Sequence, residues 1–131
     1  MDTLIDTCRH ALKDAKTILL VDWANENILR SLIAAGFTVF SYSPGRYSRA
    51  LIEDEKLVFK ALAEKPEKVD IVYIYRPEAE HAGIIDMHVL PLQAKVLWLY
   101  PPVTSAKTAE LAAENGIVFI EGVDITTVDF K

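Results

Sequence analysis

The chain has 131 residues, and several things are scarce in it: one cysteine, five glycines, three histidines and no net positive charge. The single cysteine, Cys8, excludes an internal disulfide framework and suits a reducing compartment. On the apolar side of an N-terminal helix it is expected to be an inert core thiol rather than a nucleophile. His81 and His88 are spaced two helical turns apart with no cysteine to join them, so no metal site is expected. The net charge of −5, with no compensating basic cluster, argues against a nucleic-acid partner, because a phosphate backbone demands a basic footprint. The opening MDTLIDTCRH carries two acids and no long apolar stretch, so neither a signal peptide nor a membrane anchor is expected. Cytoplasmic is the expected location. No nucleophile elbow and no serine with an adjacent histidine is present.

What is there is ordinary globular composition, 51% hydrophobic and 25% charged, in a length that suits one domain spanning 1–131. Leu4, Ile5, Cys8, Leu12 and Ala15 share a helical face over residues 1–15, and Thr3 with Asp6 forms a capping-box start. Residues 17–21 read as a short apolar strand, and Ile28, Leu29, Leu32 and Ile33 repeat at helical spacing up to Gly36. Further strands are expected at 37–42, 69–75, 95–100 and 117–120, with helices over 78–88 and from a Thr104 cap to Asn115. Residues 49–64 admit two readings, a helix or a short strand followed by a turn. Residues 121–131 read as a C-terminal tail.

Near-continuous apolar strands alternating with helices imply a parallel sheet covered on both faces. The expected fold is therefore α/β, a Rossmann-like doubly wound parallel five-stranded sheet in the order 3-2-1-4-5. Ligands of such sheets sit beyond the carboxyl ends of the strands. Four loops fall there, and the candidate ligand contacts come from them. The first, Asp22-Trp23-Ala24-Asn25, offers Asn25 but no glycine. The second, SYSPGRYSR, offers Ser43, Pro44, a flexible Gly45 and the guanidinium groups of Arg46 and Arg49. In the third, YRPEAE, Arg76 stands just past a strand end between Tyr75 and Pro77. The fourth, YPPVTS, brings Tyr100, a rigid Pro101-Pro102 wall and a helix N-terminus. Asp22 and Glu26 are placed for acid–base work, but Asp22 as a helix N-cap with Glu26 in the first turn explains both. His81 beside Glu78 and Glu80 reads as a solvated helix face, and Trp23 as an aromatic covering the sheet end.

These pieces resemble a known family. VDIVYIYRPEA, KVLWLY and AELAAENGIVFI look like the third strand, fourth strand and last helix–strand pair of the small CoA-binding-domain proteins. Those proteins are similar in turn to the N-terminal domain of the succinyl-CoA synthetase alpha subunit. The resemblance spans residues 10–124. Within GFTVFSYSPGRY, Pro44-Gly45-Arg46 resembles that domain's proline-glycine-lysine, which implies a CoA contact.

The departures fall where function would lie. The family's glycine-containing loop after the first strand is cut short here, and Asp22 and Glu26 stand where an anion would approach. The family's glycine after the fourth strand is replaced by Pro101-Pro102, which removes amide donors. Its cysteine near the C-terminal end falls at Asp124.

The resemblance implies a non-enzymatic module that binds CoA or an adenine nucleotide, with weakened affinity and no metal. The alternative is an interaction or structural protein whose nucleotide site has decayed. An enzyme using Asp22 and Glu26 is a third reading supported by position alone. The expected partner is a nucleotide-type small molecule, with neither nucleic acid nor membrane, and the chain is expected to be a monomer or homodimer.

Overall fold

The runs of consecutive buried apolar residues at 18–21, 71–74 and 96–99 lie side by side as the inner strands of one sheet. A strand covered on both faces has no solvent side, so its sequence need not alternate. The computed structural model describes residues 3–43 and 45–128. The expected contact Pro44, the first two positions and the last three lie outside the described residues.

Strand β1 (Thr17–Val21) pairs in parallel with β2 (Thr38–Tyr42) on one side and with β5 (Ile71–Ile74) on the other. Beyond β5 come β6 (Val96–Leu99) and β7 (Val118–Ile120), also parallel. A hairpin of β3 (Tyr47–Glu53) and β4 (Lys56–Ala61) adds two antiparallel strands beside β2. The sheet therefore has seven strands in the order β4-β3-β2-β1-β5-β6-β7.

Three expectations are corrected here. The sheet is seven-stranded and mixed rather than five-stranded and parallel throughout. Residues 49–64 form neither a helix nor an isolated strand but most of a hairpin, because the ladder from Ser48↔Ala61 to Glu53↔Lys56 closes through a tight turn at Asp54 and Glu55. The strand at 69–75 sits on the far side of β1, not outside β2, so the parallel strands run 2-1-3-4-5 rather than 3-2-1-4-5. The hairpin already occupies the outer edge of β2, leaving the incoming strand only the free edge of β1.

Helices α1 (Leu4–Asp14) and α2 (Glu26–Ala34) cover one face over Ile18, Leu20, Tyr73 and Trp98. The other face, with Leu19, Val21, Val72 and Leu97, is covered from the chain between β5 and β6 and by α4 (Ala106–Glu114). Between β5 and β6 the helical segment enters through a 3-10 turn, Glu78–Glu80, continues as α3 (His81–Ile84) and leaves through a π turn, Ile85–Val89. The capping box at Thr3 and Asp6 is present, and Cys8 and Leu12 are buried. Leu4 and Ile5, expected on that buried face, lie in the first turn of α1 and are 47% and 45% exposed. The expected tail is partly core. The Trp98 indole N–H donates to the Val123 carbonyl at 2.8 Å, and Ile125 is buried.

At the amino edge of the sheet Asp70 laces β1 to β5. One carboxylate oxygen accepts the Lys16 amide at 2.7 Å, the Thr17 amide at 3.1 Å and the Thr17 hydroxyl at 3.2 Å. Partial burial alone would raise this carboxyl's pKa, but those donors, with Lys68 nearby, hold it below the ordinary carboxylate range. A lowered folded pKa stabilises the fold above the unfolded value, and that contribution is lost as pH falls through the folded value. Asp70→Ala should cost about 2 kcal/mol in urea unfolding at neutral pH, and the difference from wild type should shrink in acid. A neutral-pH difference within error would show that the lacing is dispensable.

Candidate functional site

In the observed order the chain's path reverses between β1 and β5, which makes their carboxyl ends the switch point where a doubly wound sheet takes its ligand. Asp22 leaves β1 with φ of 64°, a left-handed conformation in which glycine is favoured. Aspartate tolerates it because its side chain bonds locally, here accepting the Trp23 amide at 2.9 Å. Asp22 is therefore not the cap of α2. Asn25 is, without a side-chain cap bond, and Glu26 opens the first turn as expected.

Across the switch point Arg76 leaves β5 and is fully engaged. Its Nη1 donates to Asp22 Oδ2 at 3.0 Å, its Nη2 to Glu80 Oε2 at 2.7 Å, and its Nε to both Glu80 oxygens at 3.1 and 3.2 Å. The hydrogen bonds from Arg76 hold the Glu80 carboxyl below its ordinary pKa, and the same donation to Glu80 and Asp22 raises that of the guanidinium. The N-terminus of α4 is answered in the same way. Ser105, not the expected Thr104, is the cap, accepting the Thr108 amide at 3.0 Å. Its own amide donates to Glu121 Oε1 at 2.9 Å, and its hydroxyl donates to Glu78. Both groups that would meet a phosphate here carry the chain's own carboxylates.

Two grooves flank the β2–β3 connection at Ser43 and Gly45, where Gly45 takes φ of 75° and the Ser43 amide donates to the Arg46 carbonyl at 3.1 Å. The groove of about 560 Å³ on the α2 face is lined by Trp23, Ser41, Ser43, Arg46, Ser48 and Phe59. Trp23 stacks on Phe59 with ring centroids 5.3 Å apart and planes 15° apart. Arg46 has no side-chain partner among the described residues, in contrast to Arg76. The cavity of about 510 Å³ on the opposite face lies between Asp22, Tyr42, Ser43 and Arg76 and the helical segment from Ala79 to His88.

The structure thus divides the candidates that the sequence grouped together. Ser43 borders both grooves, Arg46 one and Arg76 the other. Tyr75 and Tyr100 pair edge to face at 5.0 Å on the α1/α2 side, and Tyr100 also packs against Tyr73, so it is part of the core. Pro77 caps the 3-10 turn, Asn25 is exposed, and Arg49 points outward from β3.

His81 is a correction: it is 1% exposed, not a solvated face. Its Nε2 donates to the Arg76 carbonyl at 2.8 Å and its Nδ1 shares a hydrogen bond with the Thr108 hydroxyl at 2.7 Å, so it ties the switch point to α4. His88, which no sequence signal marked, is 3% exposed, hydrogen-bonded through Nδ1 to the Tyr47 hydroxyl and tilted against Tyr42. Burial pushes the Tyr47 phenol up to about 12, with Tyr42 adding to it, and pushes the His88 imidazole below its usual value. Among the described residues no group of three or more potential ligands is placed to hold a metal, and no helix is long and apolar enough to cross a membrane.

A doubly wound domain with two grooves at its carboxyl edge is the class these features define. The chain matches the CoA binding domain family over residues 21–123 and belongs to that family. It is similar to the crystal structure of Prb, a protein redesigned for binding, at 17% identity and a TM-score of 0.74 over 95% of this chain and 89% of that one. A Thermus thermophilus structure, cell-free ID.343, is similar at 22% identity and 0.69, covering 92% and 91% of the two chains. A hypothetical protein from Pyrococcus horikoshii OT3 is similar at 15% identity and 0.69, covering 93% and 87%. These likenesses show the shared fold, and the family match supports a CoA-binding type of module.

Two outcomes follow from this geometry. Asp22→Gly and Asp22→Ala both remove the Arg76 contact, so their difference isolates the backbone. The alanine variant should be less stable by about 1 kcal/mol, and equal melting temperatures would contradict the left-handed conformation. The lowered His88 pKa means the unfolded chain takes up its proton first as pH falls below about 6.5, so this contribution is present above that value and lost in acid. Wild type should lose melting temperature between pH 7 and 5 more steeply than His88→Gln, and parallel profiles would count against a buried neutral imidazole.

Proposed function

We propose that this protein is a non-enzymatic binding module for CoA or a related adenine nucleotide, with lower affinity than an intact glycine-loop cradle would give. Arg46 carries the reading. It is the unengaged guanidinium at the carboxyl edge, beside the hydroxyls of Ser41, Ser43 and Ser48 and the stacked Trp23 and Phe59. Guanidinium and hydroxyl donors suit a phosphate, and an aromatic platform suits the rest of a nucleotide. Weak affinity follows from the other donors being occupied. A polyanion reaching Arg76 or the start of α4 must displace Asp22 and Glu80, or Glu78 and Glu121.

The absence of a reaction is inferred from the engagement of Asp22. Its carboxylate is tied to Arg76 and the Trp23 amide, and Glu26 lies exposed in the first turn of α2. That arrangement supports a positional role for Asp22. The second reading, an interaction protein whose site has decayed, draws on the same four carboxylates.

Calorimetric titration separates the two. CoA should bind wild type weakly, Arg46→Ala should weaken it about 10- to 100-fold, and Arg76→Ala should change it far less. Equal affinity for wild type and Arg46→Ala would place the phosphates elsewhere. No saturable heat at millimolar CoA would favour the interaction protein.

A further inference from the structure

The cavity on the α3 side of the switch point has a chemistry unlike that of the Arg46 groove. Its walls are Val21, Tyr42, Ala79, Gly83, Ile84 and Met87, and its rim carries the carboxylates Asp22 and Glu80 around a single guanidinium, Arg76. The rim is therefore net negative. Deep in it stands His88, brought inward by the π turn Ile85–Val89, an irregularity that recurs at functional positions. Its Nδ1 is taken by Tyr47, whereas its Nε2 has no partner among the described residues. No buried side-chain nitrogen or oxygen among those residues lacks a partner, so the Nε2 of a histidine only 3% exposed opens onto the cavity it lines. Burial keeps that imidazole uncharged at neutral pH.

Three features then specify a ligand. Ala79 and Gly83 lie one turn apart on the helical wall, and a Cβ at Gly83 would meet nothing within 4 Å. The Tyr42 ring lines the same cavity, so a flat ring has both an aromatic face and an uncrowded wall to lie against. The inner end offers one neutral hydrogen-bonding nitrogen, which suits a ring heteroatom or exocyclic group. The outer end offers carboxylate oxygens with lone pairs left over from Arg76, and carboxylates are the usual acceptors for ribose hydroxyls. Those same carboxylates oppose a phosphate.

We propose that this cavity binds an unphosphorylated ribonucleoside, selected against its 5′-phosphorylated forms by Asp22 and Glu80. This goes beyond the CoA reading and does not depend on it. The base lies between Tyr42 and the Ala79–Gly83 wall with an edge on His88, and the ribose hydroxyls face the rim.

The test titrates the full chain with adenosine, 2′-deoxyadenosine and adenosine 5′-monophosphate at low ionic strength, by calorimetry and by the His88 ring resonances. Adenosine should bind saturably and shift those resonances. The monophosphate should bind about three- to tenfold more weakly, with the gap narrowing at high salt. The deoxynucleoside should bind about fivefold more weakly for the lost hydroxyl. Gly83→Leu fills the slot and adds a better helix former, so it should abolish adenosine binding with the melting temperature unchanged or raised, which excludes unfolding as the cause. His88→Phe should weaken adenosine at least about tenfold. A monophosphate as tight as adenosine, unchanged binding by Gly83→Leu, or no saturable adenosine binding at millimolar concentration would each overturn the proposal. Failure with adenosine alongside Arg46-dependent CoA binding would remove this inference and leave the CoA reading standing; the reverse pattern would do the opposite.

Discussion

The carboxyl edge of this sheet is organised by one contact set, the Arg76 guanidinium held between Asp22 and Glu80. It joins the ends of two adjacent strands to the helical segment that follows, and so fixes three elements where the chain's path reverses. All three side chains are between 34% and 45% exposed, so the pairs add little to stability and act by position. Asp22 holds its left-handed backbone with its carboxylate turned toward Arg76, and the Arg76 carbonyl in turn anchors His81. The chain's own charged groups thus occupy this edge and leave it net negative.

The two faces of the carboxyl edge differ in chemistry. On the α2 face the unengaged Arg46, three serines and the Trp23–Phe59 stack remain suited to an anion and an aromatic platform. On the other face, carboxylates guard an apolar slot with a neutral histidine at its depth. The β2–β3 connection at Ser43 and Gly45 borders both. Because β3 turns straight back along β2, the second loop becomes a tight turn rather than an open phosphate-facing crossover.

Much of this was legible in the sequence. Unbroken apolar runs marked the buried parallel strands, since such strands have no solvent face to encode. The capping box at Thr3 and Asp6 and the burial of Cys8 were equally readable, being local or set by a helical stripe. The strand order was not. Nothing within residues 69–75 states which side of β1 is free, and that depended on a hairpin whose own residues read ambiguously. His81 was misread because its neighbours Glu78 and Glu80 are acidic, whereas its ring is buried against Thr108 of α4, whose cap Ser105 also takes Glu78.

Residue types alone thus determined the parallel, two-faced part of the sheet, a carboxyl edge short of glycine, and which side chains stand at that edge, because strand polarity places the loops. Whether an arginine there is available or spent was decided only in three dimensions. Arg46 and Arg76 look alike in sequence, each beside a turn and a proline, yet one lies in an open groove and the other between two carboxylates. Asp22 and Arg76 are separated by 54 positions, and His88 meets Tyr47 across 41. Contacts at such separations arise from how strands order and helices pack, and no local pattern encodes them.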